Sequence, residues 1–248
     1  MTTAKNTTVG SALEYFRDSV EAVMRELQGR WETRAEIDVF HITLDVLYFR
    51  NSEIFVSALF LLDQRRLPAA ELLLRPMYEG VVIFEWCLLS PQDRALRFRR
   101  TSFEGMIQLI EERYIQTAAH TVSMYRDAVS WMKQQGYKPL PNMKQMLEEL
   151  TTFRQDKAYG LYRILSKLTH AVYENWSDYV CFSEDLKVRR PEQRSQHRID
   201  VCYAMILFLQ MRNTLAFGEF DTYMQIPGAT ELESRWAEIY PILDFFGI

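Results

Sequence analysis

The chain has 248 residues, of which 48% are hydrophobic and 25% charged, the balance of an ordinary globular protein with enough length to bury one sizeable core. A formal net charge of −4 gives no global attraction to nucleic-acid phosphates, so any contact with RNA has to come from a local basic patch. Three cysteines without CxxC spacing and four scattered histidines exclude a disulfide framework and a clustered zinc site, which predicts free thiols, no metal and no cofactor.

The opening MTTAKNTTVG carries no hydrophobic signal region, and the most apolar stretch contains Glu71, Arg75, Glu79 and Glu85, so a cytoplasmic protein without a membrane partner is expected. Ser11 and Glu14 form a capping box for a first helix, in which Leu13, Phe16, Val20, Val23 and Leu27 recur at helical spacing until Gly29. A second helical region runs from about Arg34 to Arg66. Asn51 and Ser52 offer a new N-cap inside it, so one helix and two are equally consistent with the pattern.

Leu67 to Ser90, LPAAELLLRPMYEGVVIFEWCLLS, is apolar on nearly every side and reads as the central helix of a bundle. Pro68 suits its first turn, Pro76 removes one internal hydrogen bond and predicts a kink near Leu72, and Glu71, Arg75, Glu79 and Trp86 share one stripe. Ser90, Pro91 and Asp93 open a further helix to about Gln116. The next spans roughly Thr121 to Gln135 and stops at Gly136, where GYKPLPN reads as a loop before a short helix from Met143 to Leu150.

A strong amphipathic helix follows from about Gln155 to Tyr173, then a loop from Asn175 to Pro191, then a long helix from about Glu192 to Phe217 ending at Gly218. Thr230 and Glu233 open a last helix towards Phe245. No segment alternates with period two between hairpin turns, so strands are not expected. The reading is an all-α, single-domain antiparallel helical bundle of seven to nine helices covering residues 1–248.

Chemistry concentrates on the helix from Gln155, where Tyr162, Ser166 and His170 stack one turn apart. A histidine beside a serine and a tyrosine can act as a general acid or base, or can sit buried with its ring nitrogens satisfied by Ser166 or a carboxylate. Arg163 and His170 also make an R-x6-H pattern, but Arg34 and His41, Arg113 and His120, and Arg190 and His197 repeat that spacing at every histidine. Only the Arg163 copy lies on a helix with a well-formed polar face. The basic runs RALRFRR (Arg94 to Arg100) and KVRRPEQRSQHR (Lys187 to Arg198) are read as solvated faces able to meet an anion, and Glu111, Glu112, Glu148 and Glu149 as solvated carboxylates. Nucleophile elbows, phosphate loops and dinucleotide fingerprints are missing.

The pattern ELLLRPMYEGVVIFEWCL followed by KAYGLYRILSKLTHA resembles the bacterial family called domain of unknown function 5677, over roughly residues 35–175. The resemblance carries over Arg75, Glu79, Tyr162, Ser166 and His170 and implies a helical bundle of unassigned activity. A looser likeness to HEPN-type helical domains implies metal-independent RNA cleavage by Arg163 and His170 in a toxin or phage-defence setting, across a dimer interface.

The leading expectation is therefore a module that cuts or binds RNA, with His170, Arg163, Ser166 and Tyr162 as catalytic candidates and Arg75 and Glu79 as binding candidates. The alternative is a non-catalytic protein-interaction module whose Arg75, Glu79 and His170 only fix helix packing. Two structural expectations accompany these. The Arg75/Glu79 stripe should face the Ser166/His170 stripe, so that losing a buried Glu79 costs about 3–5 kcal/mol. A homodimer is expected as well, from the apolar ending Phe245, Phe246 and Ile248.

Overall fold

The computed structural model describes residues 17–18, 20–29, 31–32, 38–112, 117–150, 155–169, 181–182, 188–189 and 196–220. The Ser11 capping box, His170 and the helix expected after Thr230 fall outside these residues, as do Phe245, Phe246 and Ile248. Within them, residues 20–29 are helical (α1) and bury Val20, Val23 and Leu27, which the helical repeat places on one face.

Val39–Asp63 (α2) is a single unbroken helix. Asn51 and Ser52 do not restart it, because both side chains are fully buried and bond across to another helix instead of to their own backbone. The turn that follows holds Arg65 at φ 56°, with its amide bonded to the Leu62 carbonyl and the Arg66 amide to the Leu61 carbonyl, the two bonds of a Schellman cap.

Leu67–Leu88 (α3) continues through Pro76 and is the centre of the molecule. It packs against α2 and against four further helices: Pro91–Glu111 (α4), Met143–Glu149 (α6), Gln155–Thr169 (α7) and Gln196–Phe220 (α8). This is what an apolar circumference demands, since Leu74, Met77, Tyr78, Val81, Val82, Phe84, Trp86 and Cys87 point in several directions and all are buried. Ala119–Gln134 (α5) packs on α4 and ends at Gly136, φ 82°, with the same pair of capping bonds as at Arg65. A capping box opens α6, where the Asn142 Oδ1 accepts from the Gln145 amide at 3.0 Å and the Gln145 Oε1 from the Asn142 amide at 3.1 Å.

With 20–29, eight helices have described residues, and the all-α class stands. Two boundaries moved. α4 ends at Glu111 rather than near Gln116, and α8, described from Gln196, runs through Gly218 to Phe220. A short strand pair also breaks the expectation of none: Cys181–Phe182 (β1) pairs antiparallel with Val188–Arg189 (β2), Phe182 facing Val188. Two-residue strands are too short to leave a period-two signature. Among the described residues no helix is long and apolar enough to cross a membrane.

Candidate functional site

Arg75 and Glu79, one turn apart on α3, form an ion pair with Nε donating to Oε1 at 2.9 Å. The Arg75 Nη1 also donates to the Thr169 hydroxyl of α7 at 3.0 Å, and its guanidinium lies 5.7 Å from the centre of the Tyr162 ring. Thr169 in turn donates to the Ser166 carbonyl at 2.9 Å. Arg75 therefore reaches α7 and meets Tyr162 and Thr169 there, while Ser166 takes part only through the carbonyl that Thr169 bonds. Thr169 is a partner the sequence did not suggest; lying seven residues after Tyr162, it shares that residue's face. The Glu79 hydrogen bond raises the Arg75 pKa above its ordinary value, outweighing desolvation.

Two expectations about this centre need correcting or narrowing. The ion pair is not deeply buried: the Arg75 and Glu79 side chains are 26% and 30% exposed, so water screens them and the 3–5 kcal/mol expected for Glu79 is too large. Ser166 Oγ is buried without a hydrogen-bond partner among the described residues. Arg163 points to the outside of α7 with Ile164, while Tyr162 stacks on Tyr159 at 5.8 Å between ring centres. His170 lies outside the described residues, so its position relative to Glu79 and Arg163 is not described.

The strongest charge pairs join α3 to α8. Arg198 grips Glu71 with two bonds, Nε to Oε1 at 2.5 Å and Nη2 to Oε2 at 2.6 Å. Arg212 grips Glu85 in the same way, with Nε to Oε1 at 2.6 Å and Nη2 on Oε2. Glu71 and Glu85 are 9% and 8% exposed as side chains. The pairs occur in the same order along both helices, so α8 runs parallel to α3. A signal was present in the sequence: α3 carries three glutamates against the single Arg75, and two leftover carboxylates on a buried helix require cations from elsewhere.

Beside the Arg212 clamp lies a polar layer. The Asn51 Nδ2 donates to the Asn213 Oδ1 at 3.0 Å, the Asn213 Nδ2 to the Tyr48 carbonyl and to Ser52 Oγ, each at 3.4 Å, and the Gln210 Nε2 to Thr214 Oγ1 at 3.2 Å. Burial pushes the Tyr48 hydroxyl up to about 12 and the Cys87 and Cys202 thiols up to about 12, so all three stay protonated and unreactive.

The run RALRFRR is not a solvated face. Arg94 and Arg97 stack on buried Trp86, 4.4 and 4.9 Å from the ring centre, and Glu149 bridges the Trp86 Nε1 at 3.0 Å and the Arg94 Nη2 at 2.8 Å. Glu149, its side chain 44% exposed, is thereby a bridge as well as a solvated carboxylate. Arg97 also donates to the Pro139 carbonyl and Arg100 to the Tyr137 carbonyl, pinning the loop before α6. Arg198, from the second basic run, is taken up by Glu71. Among the described residues no three His, Cys, Asp or Glu side chains group as metal ligands.

A family model described as "Family of unknown function (DUF5677)" matches residues 41–186, more than half of the chain and the stretch holding both motif helices. No curated protein and no solved structure matches the chain.

Proposed function

Because the chain belongs to the DUF5677 family, whose function is unknown, its role has to be argued from its own chemistry, and we propose that the edge of α7 bordering α3, from Tyr162 out to Tyr159 and Arg163, contacts single-stranded RNA, with Arg75 and Glu79 as the buckle behind it. The observation that carries this reading is the stacked Tyr159–Tyr162 pair beside exposed Arg163. Bases stack on aromatic side chains irrespective of sequence, contributing roughly 1–3 kcal/mol each, and an adjacent guanidinium neutralises phosphate. An overall charge of −4 keeps such binding local rather than general. In the sharper form of the proposal, which the HEPN likeness suggests, His170 removes the proton of a ribose 2′-hydroxyl as it attacks the adjacent phosphorus, a 2′,3′-cyclic phosphate forms as the P–O5′ bond breaks, and the imidazolium gives its proton to the departing 5′-oxygen. Arg163 stabilises the charge, without a metal, in a toxin or phage-defence role.

The test uses the purified full-length chain with labelled single-stranded RNA and with total RNA. Binding that weakens on Tyr162→Ala and Arg163→Ala supports the RNA-contacting face; cleavage lost on His170→Ala supports the catalytic form. Absence of binding at micromolar protein sinks both. Binding with cleavage that is absent, or indifferent to His170, leaves a binding module alone.

A second reading is favoured by the direction of the Arg75 contacts, since Glu79, Thr169 and Tyr162 all belong to the α3–α7 junction. There the polar centre is structural and the protein a non-catalytic interaction module. Arg75→Ala then lowers the melting temperature and leaves RNA behaviour unchanged.

A further inference from the structure

The outward side of α2 carries apolar side chains that neither the core nor the α7 face uses. Val39, Val46 and Phe60 are 42%, 46% and 63% exposed, and with exposed Glu53 they recur every seven residues along one line of the helix. Arg50, Ser57 and Gln64, also exposed, fall between them, so from Val46 on the stripe has the alternating three- and four-residue spacing of a coiled-coil seam, while Thr43, at the matching place between Val39 and Val46, is buried. The remaining sides of α2 are occupied, by α3, α8 and α4. At 1.5 Å per residue the stripe from Val39 to Gln64 is about 37 Å long.

We propose that this stripe is where a second copy of the chain docks, α2 against α2, antiparallel about a two-fold axis passing between residues 51 and 52. The charges select this arrangement. Side by side in parallel, each Arg50 would meet the partner subunit's Arg50 and each Glu53 the partner subunit's Glu53, a repulsive pairing at the middle of the seam. Antiparallel, Arg50 meets the partner subunit's Glu53, and the symmetry makes that ion pair twice. The same register sets Val46 opposite the partner subunit's Ser57, where there is room for it. Phe60 drops between the partner subunit's Val39 and the partner subunit's Val46, over the partner subunit's Thr43, so the most exposed large side chain of the stripe enters a hole walled by two valines at each end. Neither Arg50 nor Glu53 has a hydrogen bond or ion pair within the described chain, which leaves both available to the partner. The proposal is independent of the RNA reading, since it uses no residue of α7.

Sedimentation equilibrium of the full-length chain, without RNA, at micromolar to tens of micromolar concentration tests it. The expected mass is twice 29.4 kDa. Phe60→Asp is expected to raise the dimer dissociation constant about a hundredfold and Arg50→Glu or Glu53→Arg about tenfold each. The double exchange Arg50→Glu with Glu53→Arg restores the pairing and brings the constant back towards wild type. All these positions are exposed, so far-ultraviolet circular dichroism spectra should match wild type and separate a lost interface from a lost fold, while the melts fall only as far as the lost association dictates. A monomeric wild type overturns the proposal, whether another part of the chain or a different protein covers α2. So does a dimer indifferent to Phe60→Asp, or a double exchange no better than its singles.

Discussion

Arg65 and Gly136 close their helices with the same two backbone bonds, yet one is an arginine at φ 56° and the other a glycine at φ 82°. A side chain in this left-handed region crowds the following carbonyl by about 1–2 kcal/mol, which glycine avoids. Arg65→Gly should therefore stabilise the protein by roughly 1 kcal/mol and Gly136→Ala destabilise it by a similar amount, read as opposite shifts of the urea midpoint. Shifts of the same sign would contradict the account. The glycine announced its turn in the sequence and the arginine could not. Gly80 has a different constraint: a methyl group there would lie 1.9 Å from the Asn51 Oδ1, and Asn51 is held by Asn213. Gly80→Ala should cost about 1–3 kcal/mol, and trimming Asn51 to alanine in the same chain should recover part of it. An unchanged midpoint for Gly80→Ala would show that the α2–α3 contact yields easily.

Elements divide by how much of their role each carries in its own pattern. α3 was legible as the central helix because apolar side chains on every side need several partners, and the meeting of Arg75 with the α7 stripe was legible because two polar stripes had nowhere else to go. The partners of Glu71 and Glu85 were not, since nothing in an arginine's local sequence says which distant carboxylate it will reach. The α4–α5 pair illustrates a role visible only in three dimensions. Burial alone would raise the Glu104 carboxyl, but hydrogen bonds from Lys133 of α5 and Arg100 of α4, with their charges, hold it below its ordinary value of 4.5. A depressed folded value means a contribution present above the unfolded carboxyl pKa and lost as pH falls through the folded one. Amide protection factors in α5 should accordingly fall as pH drops through and below the ordinary carboxylate range, and Glu104→Gln should remove that acid step. A step that survives the substitution would assign it to another carboxylate.

At the scale of the molecule, α8 is held to the centre by two bidentate carboxylate pairs, with a polar layer beside the second. Removing one partner strands a desolvated charge: Glu85→Ala should cost about 3–5 kcal/mol, whereas Glu85→Met with Arg212→Met should come back to near neutral. Equal losses for the single and double variants would mean that packing, not charge, dominates there. Both pairs also join residues 127 positions apart, and the polar layer ties α2 to α8 across a still longer stretch, 165 positions from Tyr48 to Asn213. Closing so long a loop is slow and unrewarded until its ends meet, so α8 should dock after the rate-limiting barrier, onto a scaffold of α2 and α3 already paired through their three-residue turn. The clamps then act as a latch on the way out: in stopped-flow chevrons Glu85→Ala should accelerate unfolding by most of its stability loss and leave refolding nearly as fast as before. How long the native molecule persists, rather than how quickly it is reached, is set by two arginines on its last described helix.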